Sequence, residues 1–218
     1  MLRMVIKLDA SVTRWINHND IIKIGELNVT CFSKIHDGID PYSFLIEFNT
    51  IYAGVITDIG IACENVINAF KKCHACILES NYDEEMLDGG PYPYHLKKRI
   101  RGGEGHISNA QALELFLNHK NENLGHLLLG HLSQTNNKPQ IVEDLFSKNA
   151  GDTKIVVASR YKESEVYEVN GIFNNQKAAV SSGSGDKQVE KEVSEITTVA
   201  IGGSSESTEK VNAQMSLF

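Results

Sequence analysis

His36, Asp58 and His131 each stand just past an apolar run that reads as a strand, at the point where a loop should begin. The runs are Val29-Thr30-Cys31-Phe32, Val55-Ile56-Thr57 and Leu127-Leu128-Leu129-Gly130. His106 lies in Gly102-Gly103-Glu104-Gly105-His106, directly before a helical pattern. Functional side chains on loops at strand ends are how α/β sheets build sites. Imidazole together with carboxylate suits zinc, manganese or iron, whereas a structural zinc site more often recruits thiolates. Taken singly, each residue has a plainer use. A strand-end histidine is more often a hydrogen-bonded structural group, and Asp58 alone would cap a following helix. Only the set, in its order and spacing, carries the metal reading.

The elements that must position these residues alternate between strand and helix patterns. Leu27 to Ile35 and Tyr42 to Phe48 read as strands, and Ile51 to Thr57 follows across a tight Asn49-Thr50 turn as a hairpin. Glu64 to Lys72 has helical spacing, with Val66, Ile67 and Phe70 on one face. Cys76-Ile77-Leu78 is a short buried strand. A helix from His95 to about Ile100 follows a Gly/Pro-rich connection, and Ser108-Asn109 supplies N-cap chemistry for a helix through Leu117. Leu127 to Leu129 is a strand, Pro139 starts a helix through Phe146, and Lys154 to Ala158 and Val166 to Val169 are strands. This order predicts a layered α/β protein.

Bulk properties narrow the class. A net charge of −7 argues against coating nucleic acid by general electrostatics, and leaves room for an enzyme that meets phosphate at a local patch or through metal. Lys97, Lys98 and Arg101 form such a patch and could steer phosphates, although a basic helix face is more often simply solvated. No apolar run approaches the roughly 20 residues of a membrane-spanning helix. The N-terminus has no apolar signal stretch. Four cysteines without framework spacing favour a reducing compartment, so the expected location is cytoplasmic, with no membrane partner. Cys73-His74-Ala75-Cys76 stands alone and merges into a strand, which makes a core role the expectation.

Residues 1–170 carry this periodicity. From Asn170-Gly171 the composition turns to Asn, Gln, Ser, Gly, Glu and Lys, including Ser181-Ser182-Gly183-Ser184-Gly185, and reads as a flexible tail over 171–218. Within it, the Ile196 to Ile201 run is too isolated to make a domain.

Ser33-Lys34-Ile35-His36, followed 22 residues later (58 − 36) by Ile56-Thr57-Asp58-Ile59-Gly60, resembles the third and fourth metal motifs of metallo-β-lactamase-fold hydrolases. The block Leu78-Glu79-Ser80-Asn81-Tyr82-Asp83, Met86-Leu87, Gly90-Pro91-Tyr92-Pro93 and Leu96-Lys97-Lys98-Arg99-Ile100 is more specific. With Gly105-His106-Ile107-Ser108-Asn109 and His131-Leu132-Ser133-Gln134-Thr135-Asn136-Asn137, it resembles the WalJ (YycJ-like) branch of that superfamily over residues from about 20 to 170.

The resemblance implies an αββα sandwich of which this chain carries the C-terminal portion. It implies a dinuclear site of two zinc or manganese ions, with His36 and His131 each ligating one ion and Asp58 bridging them. His106 would protonate the leaving oxygen of a phosphodiester. DNA is the expected substrate of an exonuclease-type hydrolase, with an RNA or small-molecule phosphodiesterase as the alternative. The family's first motif, His-x-His-x-Asp-His, does not occur here, and His18-Asn19-Asp20, the nearest string, lacks its spacing. The expectation is therefore a chain that begins partway through the domain, lacks about a hundred residues of a typical domain, and is inactive or unstable alone. A further alternative is a non-catalytic, clamp-binding fragment.

The last residues, Gln214-Met215-Ser216-Leu217-Phe218, resemble the bacterial sliding-clamp-binding pentapeptide. Leu217 and Phe218 would enter an apolar pocket and Gln214 would hydrogen-bond beside it, tethering the enzyme near replicating DNA.

Overall fold

The structure, a computed structural model, describes residues 13–170 and the backbone of Thr198–Ile201. Seven strands form one mixed sheet in sequential order: β1 (Ile21–Ile24), β2 (Leu27–Ser33), β3 (Tyr42–Phe48), β4 (Ile51–Ile56), β5 (Ala75–Glu79), β6 (His126–Gly130) and β7 (Lys154–Val157). β1 to β4 pair antiparallel, and β4 to β7 pair parallel. The fold is thus α/β, as read from the sequence.

Turn chemistry sets the antiparallel half. Phe48 pairs with Ile51 across Asn49 and Thr50, whose φ values of 45° and 69° are the left-handed pair that a two-residue hairpin requires. Asparagine tolerates this conformation and β-branched Thr50 does so at a cost. In the parallel half, crossovers run through helices. α1 (Glu64–Phe70) joins β4 to β5, and α5 (Pro139–Ser147) joins β6 to β7. α2 (Glu84–Gly89), α3 (Tyr94–Arg101) and α4 (Asn109–His119) lie between β5 and β6.

The strand period of two sorts the core. Ile56, Cys76, Leu78, Leu127 and Leu129 alternate onto one face, where they meet Val66 and Phe70 of α1, Leu115 and Phe116 of α4, and Val142 and Phe146 of α5. Gly54 on the same face leaves room for sulfur, since a Cβ there would lie 2.7 Å from the Cys73 Sγ. Cys73 and Cys76 are accordingly core residues, and all four cysteines are free thiols.

Neither β1 nor α2 was anticipated. β1 pairs Ile21 to Ile24 with Thr30 to Leu27, and its isoleucines at 21 and 24 are exposed, so it has no buried apolar face to announce it. α2 is six residues long and held by a side-chain cap, Asp83 Oδ1 accepting the Met86 N–H at 2.9 Å, rather than by periodicity. The N-cap predicted for α4 holds, with Ser108 and Gln111 forming a reciprocal capping box, and the helix runs two residues past the predicted Leu117.

β8 (Tyr167–Asn170) pairs antiparallel with β9 (Thr198–Ile201). The segment 198–201, read as part of the tail, is therefore a strand. The remainder of the predicted tail, and with it the clamp-binding reading of Gln214, Leu217 and Phe218, lies outside the described residues.

Candidate metal centre

β2 and β4 run in the same direction because each is antiparallel to β3, and β5 and β6 run parallel to β4. The carboxyl ends of four strands therefore meet one edge of the sheet, which is where open α/β sheets place ligands. His36 follows β2, Asp58 follows β4, Glu79 ends β5 and His131 follows β6. His106 arrives from the loop between α3 and α4. All four residues singled out in the sequence converge there.

Asp58 Oδ1 lies 3.5 Å from His131 Nε2 and 3.8 Å from His36 Nε2. The His106 ring sits between the other two, with centroids 5.2 Å from His36 and 5.1 Å from His131. Asp58, His106 and His131 each offer a ligand atom within 4.8 Å of the others, a group that could close on a single ion. His36 is close to Asp58 but stands outside that group of three.

Glu79 holds the arrangement and was not assigned a role from the sequence. It is completely buried. Its Oε1 accepts from Nδ1 of His106 at 2.6 Å and from Nδ1 of His131 at 2.9 Å, while Oε2 accepts the Ile59 N–H at 2.6 Å. His36 Nδ1 in turn donates to the Gly105 carbonyl at 2.8 Å. Every Nδ1 of the three rings is thus committed to an acceptor, so in the neutral rings the lone pair sits on Nε2. A histidine whose far nitrogen is fixed by a carboxylate or carbonyl is the usual form of a metal ligand. The donor set of one carboxylate and imidazoles therefore fits a zinc-like or manganese-like divalent ion.

The Glu79 hydrogen bond raises the His131 pKa above its ordinary value; burial opposes this, and the charges of Glu79 and Asp58 reinforce it. Lys34 also reaches the site, its Nζ donating to the Thr57 carbonyl at 2.5 Å. Burial lowers its pKa, against the pull of Asp58 and Glu79.

Tight backbone contacts shape the loops. Gly60 donates to Ile35 O at 2.7 Å, and a Cβ on Gly60 would lie 2.2 Å from Gly103 O. Asp37 N–H donates to Glu104 O at 2.7 Å. These close approaches lock the loops bearing His36, Asp58 and His106 together, which explains the glycines around His106.

A cavity of about 330 Å³ opens beside His106 and His131. Leu96, Ile100, Leu132 and Tyr92 form its apolar wall, and Arg99 and Arg160 are its cations. Lys97, Lys98 and Arg101, the basic patch read from the sequence, do not line it. Lys97 Nζ donates to Asp88 O, and Arg101 forms an ion pair with the Asp88 carboxylate, so α2 absorbs much of that patch. Arg99 is paired with Asp37 at 2.5 Å. Arg160 donates to Leu132 O at 2.9 Å, and among the described residues no carboxylate pairs with it.

His18 is not among the three grouped ligand residues, and its Nδ1 accepts the Ser33 N–H at 3.1 Å. No helix among the described residues is long and apolar enough to cross a membrane.

Comparison with known proteins agrees with the motif block. The chain is 31% identical over 122 residues to the exodeoxyribonuclease YycJ of Bacillus anthracis, a match covering 56% of this chain and 46% of that protein. It is 27% identical over 133 residues to the exodeoxyribonuclease WalJ of Streptococcus pneumoniae (strain D39), covering 60% of this chain and 49% of the relative. The chain thus spans about half the length of the curated relatives it matches. Among solved structures it is similar to the metallo-β-lactamase-fold protein YhfI of Bacillus subtilis, with a TM-score of 0.47 and 14% identity over 66% of this chain and 52% of the other. It is also similar to zinc-bound PqqB of Methylobacterium extorquens, with a TM-score of 0.48 and 17% identity over 66% and 53%. No protein-family model matches the chain.

Proposed function

We propose that this chain belongs to a metal-dependent phosphodiesterase acting on DNA, of the exonuclease type named in its relatives. The observation that carries the reading is the buried Glu79 carboxylate holding His106 and His131 beside Asp58. Its likeness to two exodeoxyribonucleases over more than half of its length supports DNA over an RNA or small-molecule substrate.

Asp58 and His131 would hold a divalent ion, and His36, 3.8 Å from the same Asp58 oxygen, would contribute to a second ion in a dinuclear site. Divalent ions in such a site lower the pKa of bound water and stabilise charge on the attacking and leaving oxygens. His106 would then donate an Nε2 proton to the leaving oxygen, with Glu79 fixing the ring through Nδ1. Arg160 and Arg99 would hold substrate phosphates in the cavity, and Leu96, Ile100 and Tyr92 would take the apolar faces of the nucleotide. The cytoplasm, read from sparse free cysteines, is the location that goes with this activity. Tethering to the replication clamp through Gln214, Leu217 and Phe218 remains part of the proposal on sequence alone.

A second reading of His106 has its own observation. One of its ring nitrogens lies within 4.8 Å of candidate ligand atoms on both Asp58 and His131, so it would instead be a third ligand of one ion.

The test is a titration of the 218-residue chain with Co²⁺, read by visible absorbance, followed by assay on a 5′-labelled oligonucleotide with and without Mn²⁺. Tetrahedral or five-coordinate cobalt bands that vanish in Asp58→Ala support the centre. Metal-dependent release of nucleotides supports the nuclease and refutes the expectation that the chain is inactive alone. Absence of cobalt binding would overturn the metal reading.

A further inference from the structure

We infer that Asn81 is a positioning residue of this centre: its side-chain amide holds the His131 backbone in the left-handed conformation from which the imidazole faces Asp58. The inference rests on the metal reading above and concerns a residue to which that reading gives no role.

β5 ends at Glu79, and the two residues after it thread between the loops that carry His106 and His131. Ser80 N–H donates to Gly130 O at 3.0 Å, Asn81 N–H to Ile107 O at 3.2 Å, and Ser133 N–H to Asn81 O at 2.7 Å. Asn81 Nδ2 donates to His131 O at 2.8 Å. Because the partner is a carbonyl, only the amide nitrogen can face it. His131 is therefore bracketed: its own carbonyl is bound by the Asn81 side chain, the carbonyl before it by Ser80, and the amide two residues on by the Asn81 backbone.

This bracket matters because His131 has φ of +56°, a conformation non-glycine residues seldom adopt and that persists only where surroundings over-determine it. Relaxing to an ordinary φ would swing the imidazole from both Glu79 and Asp58. Asn81 is itself well anchored. It is 8% exposed, and its carbonyl also accepts from Asn137 Nδ2 at 2.9 Å, within a buried network joining Ser80, Asn109 and Asn137. One short segment thus performs two tasks. Glu79 orients the rings, and Asn81 orients the loop backbones beneath them.

The experiment compares wild type, Asn81→Leu, which is near-isosteric and has no donor, Asn81→Asp, which keeps the shape with acceptors only, and Thr153→Val. The last removes a buried hydroxyl that donates to Leu124 O, before the start of β6 and so at the opposite end of that strand from His131, and controls for general destabilisation. Two readouts are taken on the full chain: amide hydrogen exchange of residues 131–136 without metal, and Co²⁺ affinity by visible titration. The expected result is exchange in 131–136 at least tenfold faster in both Asn81 variants, with helix α4 unchanged, and Co²⁺ binding weakened roughly 10- to 100-fold, the range for supporting partners of a ligand. Thr153→Val should lower the melting temperature without either effect. Exchange that moves no more than in Thr153→Val overturns the inference. If wild type binds no cobalt, the metal reading fails on its own, and the exchange arm still decides whether Asn81 holds His131.

Discussion

Asp58 and His131 approach to 3.5 Å, Oδ1 to Nε2, although they follow strands that are not neighbours, and both do so from left-handed backbone, with φ of 54° and 56°. β5 lies between their strands, and its last residue, Glu79, fills the gap beneath them. Two unfavourable backbone conformations at facing positions indicate that the fold spends stability to converge these side chains.

Glu79→Gln tests the shared carboxylate. The amide has one acceptor oxygen and no charge, so it cannot serve both imidazoles and the Ile59 N–H as the carboxylate does. Zinc affinity measured against a chromophoric chelator should fall roughly 10- to 100-fold. Unchanged affinity would show that Glu79 is only a buried structural acid.

His106→Gln separates the two readings of that residue. As a proton donor, its loss should reduce the rate about 100-fold or more with Co²⁺ affinity nearly intact. As a ligand, its loss should lower affinity and change the cobalt spectrum. The pair of measurements assigns the role.

Arg160 and Lys98 differ in what surrounds them, and binding should show it. Arg160→Ala should weaken binding of a single-stranded oligonucleotide and reduce the magnitude of the log–log salt slope by about 0.7, the value for one phosphate contact on a single strand. Lys98→Ala, on the exposed side of α3 away from the cavity, should change neither appreciably. Equal effects, measured by fluorescence anisotropy across a salt series, would return the phosphate contact to the basic helix.

His74 sets a pH dependence of stability away from the centre. Burial lowers its pKa from the ordinary 6.5, and its Nδ1 accepts the Tyr52 N–H at 3.1 Å, a bond that protonation would break. The unfolded chain therefore binds the proton more readily, so stability rises with pH through this window. The contribution is complete above pH 6.5 and is lost as pH falls below it. Urea unfolding with chelator present should show a shallower pH slope between 5 and 7 in His74→Asn than in wild type. Equal slopes would remove His74 from the account.

Much of the site was legible because it follows from local order. A polar residue with metal-binding chemistry directly after an apolar run can be read without knowing the fold, and His36, Asp58 and His131 all have that form. Glu79 has it too, as the last residue of Ala75-Cys76-Ile77-Leu78-Glu79, but its use depends on β5 lying between β4 and β6. Arg160 stands 29 residues past His131 (160 − 131) in a loop, with no local pattern to mark it. The basic run at 97 to 101 showed charge but not pairing, because Asp88 is brought to it only by the packing of α2 against α3.

What the chain by itself determined is which residue types end which strands, where the hairpin turns, and where α4 is capped, since these depend on periods and contacts a few residues long. What only the tertiary structure decided is that four strand ends share one edge, that one carboxylate serves two imidazoles 27 and 52 residues away, and that Asn81 ties two loops together. Strand direction and neighbour order are non-local choices, made by burial of the helix-covered face, and no short stretch of sequence contains them.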